Sequence, residues 1–251
     1  MSAAIELGLG IIGLGKPWGH IPSPVPTERE AIELLEFAHQ TGIRYFDSAP
    51  SYGIAEARLG KFLESLDSRQ RGELRIATKF GEHWDQAAGQ AFVDHSYDAL
   101  CRSLDTSLRL LGRIDILQLH KTTPDVLRSR PLARAWEYAA GLGIPVIGAS
   151  VSDLESARIA IAEPGFGCIQ LPLNLANPTF SEAVESAAAR GLWVATNRPF
   201  AMGSMLYGEA PAGKADAFRF VLQHPFSGVV LTGTRSQTHL AENWRAFHAA
   251  L

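Results

Sequence analysis

Ile43-Arg44-Tyr45-Phe46-Asp47-Ser48-Ala49-Pro50-Ser51-Tyr52-Gly53 is a short β-like run that stops on an aspartate and delivers a tyrosine five positions later. Two other runs have the same form. Arg75-Ile76-Ala77-Thr78-Lys79 stops on a lysine, and Ile114-Asp115-Ile116-Leu117-Gln118-Leu119-His120 stops on a histidine. A parallel strand buried on both faces reads as continuous Val, Ile and Leu. Ionisable residues at three successive strand ends therefore predict a polar cluster on one face of a parallel assembly.

Working outward, the glycine-rich Leu7-Gly8-Leu9-Gly10-Ile11-Ile12-Gly13 precedes Thr27-Glu28-Arg29-Glu30, which has capping-box spacing and opens a helical pattern with apolar Ala31, Leu34, Leu35 and Ala38. That pattern closes near Gly42, before the run at 43–46. Strands are expected near 74–79, 114–119, 144–149, 168–171, 192–196 and 228–232, and helices near 54–66, 90–111, 132–142, 153–161, 179–190, 215–223 and 236–249. Strands that alternate with helices throughout imply parallel βαβ units. With the glycine-rich start as the first strand, eight strand–helix units in about 250 residues predict an α/β fold of the (β/α)8 TIM-barrel type, one domain over 1–251. A doubly wound sheet is the runner-up. It is weakened because Gly13-Leu14-Gly15-Lys16-Pro17-Trp18 runs into a long loop where a dinucleotide-binding glycine fingerprint would open a helix.

The chain has 251 residues, 46% hydrophobic and 20% charged, with a formal net charge of −3. It shows no basic run of the kind that binds nucleic acid. The N-terminal segment has neither the basic region of a signal peptide nor an unbroken apolar span, so a cytoplasmic location without membrane attachment is expected. Cys101 and Cys168 are the only cysteines, which excludes a disulfide framework and a Cys-rich zinc site, and no metal site is expected.

In a barrel, residues at the C-terminal ends of adjacent strands share one mouth. Asp47, Lys79 and His120 would close strands two, three and four, with Tyr52 on the loop after strand two. Together with Glu56, Leu59-Gly60, Thr78-Lys79, Ser107-Leu108-Arg109-Leu110-Leu111-Gly112, Asp115, and the C-terminal Gly233-Thr234-Arg235-Ser236 and His239-Leu240-Ala241-Glu242-Asn243, these residues resemble the aldo-keto reductase family along nearly the whole chain.

The resemblance implies carbonyl reduction with Tyr52 as general acid, Lys79 lowering its pKa, Asp47 holding Lys79, and His120 hydrogen-bonding the substrate carbonyl. Hydride requires a nicotinamide cofactor. By the same resemblance Ser150 and Gln170 would hold its carboxamide, with Asn197, Arg198, Pro199 and Phe200 beside it, and Gly233, Thr234, Arg235, Ser236, His239, Glu242 and Asn243 would hold the adenosine end. Arg235 and Ser236, helped by Thr234, suit a 2′-phosphate, which favours NADPH over NADH. Two positions depart from the family pattern. Val151 follows Ser150 where an Asn is usual, and Asn197 or Arg198 stands where a Tyr usually stacks on nicotinamide.

Trp18, His83 and Trp84 are the expected pocket walls. An open mouth is expected from the short segment Gly203 to Ala215 and the absence of a C-terminal tail. Three rival readings stand beside the reductase: a redox-neutral lyase or isomerase on the same barrel, a Schiff-base aldolase using Lys79, and a nucleotide-sensing, non-catalytic member.

Overall fold

The computed structural model describes residues 5–19, 24–207 and 213–251. Among these residues there are ten strands: β1 (Ile5–Gly10), β2 (Tyr45–Asp47), β3 (Arg75–Phe80), β4 (Glu82–Asp85), β5 (Gln90–Val93), β6 (Ile116–Leu119), β7 (Val146–Ser150), β8 (Cys168–Pro172), β9 (Trp193–Asn197) and β10 (Gly228–Thr232). Eight of them form a closed barrel in the order β1-β2-β3-β6-β7-β8-β9-β10, sealed by β10 against β1, with every neighbouring pair parallel. The barrel expected from the alternating pattern is the fold observed.

Side chains alternate along each strand, so every second residue points into the barrel. Tyr45, Ala77, Ile116, Cys168, Ala195, Val229 and Leu231 pack together as the interior layer. Two positions further toward the C-terminal end of the same strands come Asp47, Lys79, Gln118, Gln170 and Asn197. The alternation thus stacks a polar layer directly on an apolar one. Gly8 faces the interior layer, where a Cβ would come within 2.6 Å of Val229 Cγ2. The second and larger core lies between the strands and the helices, built from residues such as Leu34, Leu35, Phe46, Phe62, Leu104, Val184 and Phe218.

Helix starts follow local chemistry. The helix Glu28–Thr41 opens on the expected capping box, Thr27 accepting from the Glu30 amide at 3.3 Å and Glu30 accepting from the Thr27 amide at 2.8 Å. It ends on Gly42 in the left-handed conformation, φ 110°.

One expectation fails. The helix read over 90–111 begins only at Tyr97, and its first part is β5, which pairs antiparallel with β4 in a hairpin. Asp85 accepts from the amides of Ala87 and Ala88 at 2.9 and 3.0 Å, and Gly89 turns the chain with φ 62°. Those local bonds favour a turn over the helix expected to start near residue 90. The segment Gly203 to Ala215 includes 208–212, which lie outside the described residues.

Candidate active site

The C-terminal mouth of the barrel brings the four predicted residues together. Asp47 ends β2, Lys79 lies near the end of β3, His120 follows β6, and Tyr52 closes the short 3-10 turn Pro50–Tyr52 after β2. Lys79 Nζ donates to Asp47 Oδ1 at 2.6 Å and to the Ser48 carbonyl at 2.9 Å. It lies 5.2 Å from the centre of the Tyr52 ring, and the imidazole of His120 meets the same ring edge-on with centroids 6.1 Å apart. Gln170 donates to the other Asp47 oxygen at 3.3 Å.

Tyr52 is placed by backbone contact between two loops. A Cβ on Gly15 would lie 1.8 Å from the Tyr52 carbonyl, and a Cβ on Gly53, whose φ is 62°, would lie 2.4 Å from the Gly15 carbonyl. Only glycine permits that approach.

The charges follow from burial and pairing. Burial pulls the Lys79 amine down, but the Asp47 carboxylate and the Tyr52 oxygen outweigh it, and the amine ends above its ordinary value. An amine held protonated is a poor Schiff-base nucleophile, which tells against the aldolase reading. Burial raises the Tyr52 phenol, Lys79 lowers it and Asp47 raises it again, for a net upward direction. Lys79 thus acts on Tyr52 in the direction the resemblance implies, while burial acts more strongly the other way. His120 falls well below the ordinary imidazole value, first through burial and then through the cations Lys79, Lys121 and Lys16, so its neutral form is favoured.

Glu82, at the start of the hairpin, was missed by sequence reading. It is buried, with Oε2 3.1 Å from His120 Nδ1, out of hydrogen-bond alignment, and Oε1 3.3 Å from Lys121 Nζ. Glu82 lines the cleft, whereas the expected pocket walls His83 and Trp84 do not; alternation along β4 turns His83 to the opposite face, and Trp84, on the same face as Glu82, stops at the rim against Lys16. His83 turns outward, stacks on Phe92 at 5.2 Å and meets the Asp94 carbonyl at 2.9 Å. Trp84 packs at the rim, 3.8 Å from where a Gly53 Cβ would be, while Trp18 does line the cleft. Beneath Lys79, Glu56 is enclosed by the hydroxyls of Thr78 at 2.6 Å and Ser107 at 3.1 Å, and burial pushes its carboxyl up to about 7.

From this centre a cleft of 1320 Å³ runs across the mouth. Its walls include Asp47, Tyr52 and His120 and all thirteen residues expected to hold a cofactor: Ser150, Gln170, Asn197, Arg198, Pro199, Phe200, Gly233, Thr234, Arg235, Ser236, His239, Glu242 and Asn243. Lys79 reaches the site from behind Asp47 and Tyr52. Three buried acceptors on those walls, Gln170 Oε1, Asn197 Oδ1 and Asn243 Oδ1, have no hydrogen-bond partner. Buried polar atoms are rarely left so, and their distribution from one end of the cleft to the other suits a long polar molecule carrying amide and amino donors. A nicotinamide dinucleotide has that character. Val151, where the family pattern has Asn, is buried and offers no side-chain donor. The backbone after β9 carries Arg198, Ala201 and Met202 at positive φ, and Arg198 lines the wall there beside Asn197.

At the end of the cleft formed by the residues after β10, Arg235 lies over Gly13 and donates to the Pro24 carbonyl at 2.9 Å. Ser236 caps the helix Gln237–His248 by accepting from the His239 amide at 3.3 Å. Lys214, which no sequence signal marked, pairs with Glu242 at 2.7 Å and lines the same wall. Among the described residues no cluster of His, Cys, Asp and Glu could hold a metal, both cysteines are free, and no helix is long and apolar enough to cross a membrane.

These features coincide with known proteins. Pyridoxal 4-dehydrogenase of Microbacterium luteolum is 27% identical, over 92% of this chain and 87% of its own. The aldo-keto reductase yakc of Schizosaccharomyces pombe, whose name specifies NADP(+), is 25% identical over 66% of this chain and 48% of its own. A solved structure from Pseudomonas aeruginosa, assigned as an aldo-keto reductase, superposes with a TM-score of 0.81 at 28% identity, covering 97% of this chain and 89% of that one. With a model of the aldo/keto reductase family matching residues 6–218, the chain belongs to that family of oxidoreductases.

Proposed function

We propose that the protein reduces an aldehyde or ketone to an alcohol, with NADPH as reductant and Tyr52 as general acid. The observation that carries this reading is the joining of two arrangements in one cleft: the Asp47–Lys79 pair beneath Tyr52, and the unpartnered Gln170 Oε1 beside it. Ser150 and Gln170 would hold the nicotinamide carboxamide. Asn197, Arg198, Pro199 and Phe200 would flank it, and the residues from Gly233 to Asn243 would hold the adenosine end. When bound, the cofactor supplies the hydride, which no side chain carries.

The protein's own residues handle orientation and the proton. Gln170 spends its amide N–H on Asp47 and keeps its oxygen for the cleft. Asp47 fixes Lys79, and the ammonium faces the phenol oxygen where negative charge develops as the proton leaves. A raised phenol pKa keeps Tyr52 protonated until a carbonyl oxygen, growing more basic as hydride arrives, takes its proton. His120 lines the same space and orients the carbonyl, and the buried walls exclude water that would compete for the proton. Arg235, at the far end, favours the 2′-phosphate of NADPH.

Titration with NADPH and NADH, read by quenching of tryptophan fluorescence with Trp18 in the wall, tests the reading. Saturable binding, tighter for NADPH, is expected, followed by loss of NADPH absorbance on adding an aldehyde. Binding of neither nucleotide would remove the reductase reading, and binding without turnover on any carbonyl would leave the nucleotide-sensing reading in its place.

A further inference from the structure

The substrate half of the cleft carries a charge that the reaction itself does not require. Lys16, on the long loop after β1, is half-buried in the cleft wall. Its Nζ sits 5.7 Å from the centre of the Tyr52 ring and 5.6 Å from that of Trp84. Among the described residues no carboxylate lies within ion-pairing distance of it. Aromatic faces attract an ammonium without neutralising it. Nearby stand Lys121, directly after His120, and Glu82, already in contact with both Lys121 and His120. Asp47 is taken by Lys79. This side of the mouth therefore holds two ammonium groups against one carboxylate; burial lowers the pKa of Lys16, Glu82 raises it and Lys121 lowers it again, for a net downward direction. The residues that suit the dinucleotide come from β7 to β10 and the loops after them, across the mouth, so an anion supplied by the cofactor would meet a different wall.

We propose that Lys16 is a seat for an anionic group on the substrate, and that the protein prefers carbonyl compounds bearing a carboxylate a few bonds from the reacting carbon. The proposal rests on carbonyl reduction at Tyr52 and names the substrate class for it. A carbonyl at the Tyr52 hydroxyl has the Lys16 ammonium to one side, held between the phenol ring and the Trp84 indole, with Trp18 in the cleft wall to cover the carbon skeleton between.

The test compares 4-formylbenzoate with methyl 4-formylbenzoate at saturating NADPH and low salt. Wild type is expected to favour the anion by about tenfold in kcat/KM, the lower end of what a charge-assisted hydrogen bond contributes, and the ratio should shrink as salt screens the charges. Lys16→Met should bring the ratio to about one through KM, whereas Lys16→Arg should preserve it. Equal kcat/KM in wild type defeats the proposal, and so does a preference that survives Lys16→Met, which would place the carboxylate on His120 or Lys121. Benzoate and benzamide, titrated with tryptophan fluorescence as the readout, keep this separate from the reductase reading. Tighter binding of benzoate that Lys16→Met abolishes supports the seat even without turnover, and equal binding of the two in wild type defeats it even if aldehydes are reduced.

Discussion

Lys79 and Lys214 each meet a carboxylate at nearly the same distance, 2.6 Å to Asp47 and 2.7 Å to Glu242. The side chains of the first pair are 2% and 5% exposed, and those of the second 23% and 42%. Distance is therefore not what separates the two ends of the cleft. At the barrel mouth water cannot replace a lost partner, so each charge depends on the others and acts strongly on Tyr52. At the Glu242 end water and salt screen the pair, as for most exposed ion pairs. Under the function proposed above, the mouth would hold a reacting geometry and the far end would grip and release a nucleotide.

Breaking the buried pair should have the largest effect. Lys79→Met leaves Asp47 charged and without its partner, a change that typically costs about 3–5 kcal/mol of stability, and it removes the cation that helps Tyr52 release its proton. Denaturant unfolding should show the loss, and the double variant Asp47→Asn/Lys79→Met should regain part of it. In whatever activity remains, the alkaline limb should move to higher pH, because the phenol loses the Lys79 charge that lowers its pKa. An unchanged limb would mean that Lys79 acts on packing alone.

Glu56 sharpens the comparison by titration. Its carboxyl is pushed up to about 7 by burial, while the unfolded chain releases that proton near pH 4.3. Between those values the native state holds a proton that the unfolded chain has lost. The contribution to stability is thus full below the unfolded pKa and disappears as pH rises through the folded one, a loss of roughly 3–4 kcal/mol. Glu56→Gln should flatten the fall in unfolding midpoint between pH 5 and 8 relative to wild type. Parallel curves for the two proteins would show that Glu56 is ionised throughout.

The exposed end should respond less, and selectively. Arg235→Ala is expected to weaken NADPH more than NADH, by roughly 10- to 150-fold, if a charge-assisted hydrogen bond of about 1.5–3 kcal/mol is lost. Because Arg235 also bridges to Pro24, equal losses for both nucleotides would assign it to holding the cleft wall.

The same contrast governs what the chain disclosed before its structure was known. Strand ends at Asp47, Lys79 and His120 were legible because period-2 alternation leaves no free choice of face: once Tyr45, Ala77 and Ile116 point inward, so do the residues two or four positions on. The hairpin Glu82–Val93 was not legible. Its strands are short, Phe92 and Val93 are exposed, and a turn built on Asp85 and Gly89 resembles the start of a helix. Misreading that segment hid Glu82 and put His83 and Trp84 in its place on the wall. Lys214 and Lys16 were invisible for another reason. Lys16 is a single lysine in a loop and Lys214 the first residue of a helix, and only the folded chain shows that Lys214 has found Glu242 while Lys16 has no carboxylate within ion-pairing distance among the described residues.

Rapid mixing of aldehyde with protein saturated in NADPH, compared between wild type and Tyr52→Phe, probes the proposed chemistry most directly. The substitution removes one hydroxyl and leaves the ring among Lys79, His120 and Lys16. NADPH affinity should stay within about twofold, while the single-turnover rate should fall roughly 10²–10⁴-fold, the range typical for a lost general acid. A Tyr52→Phe protein that reduced aldehyde at near wild-type rate would mean that the proton comes from another group, and the role assigned here to the Asp47–Lys79–Tyr52 arrangement would be wrong.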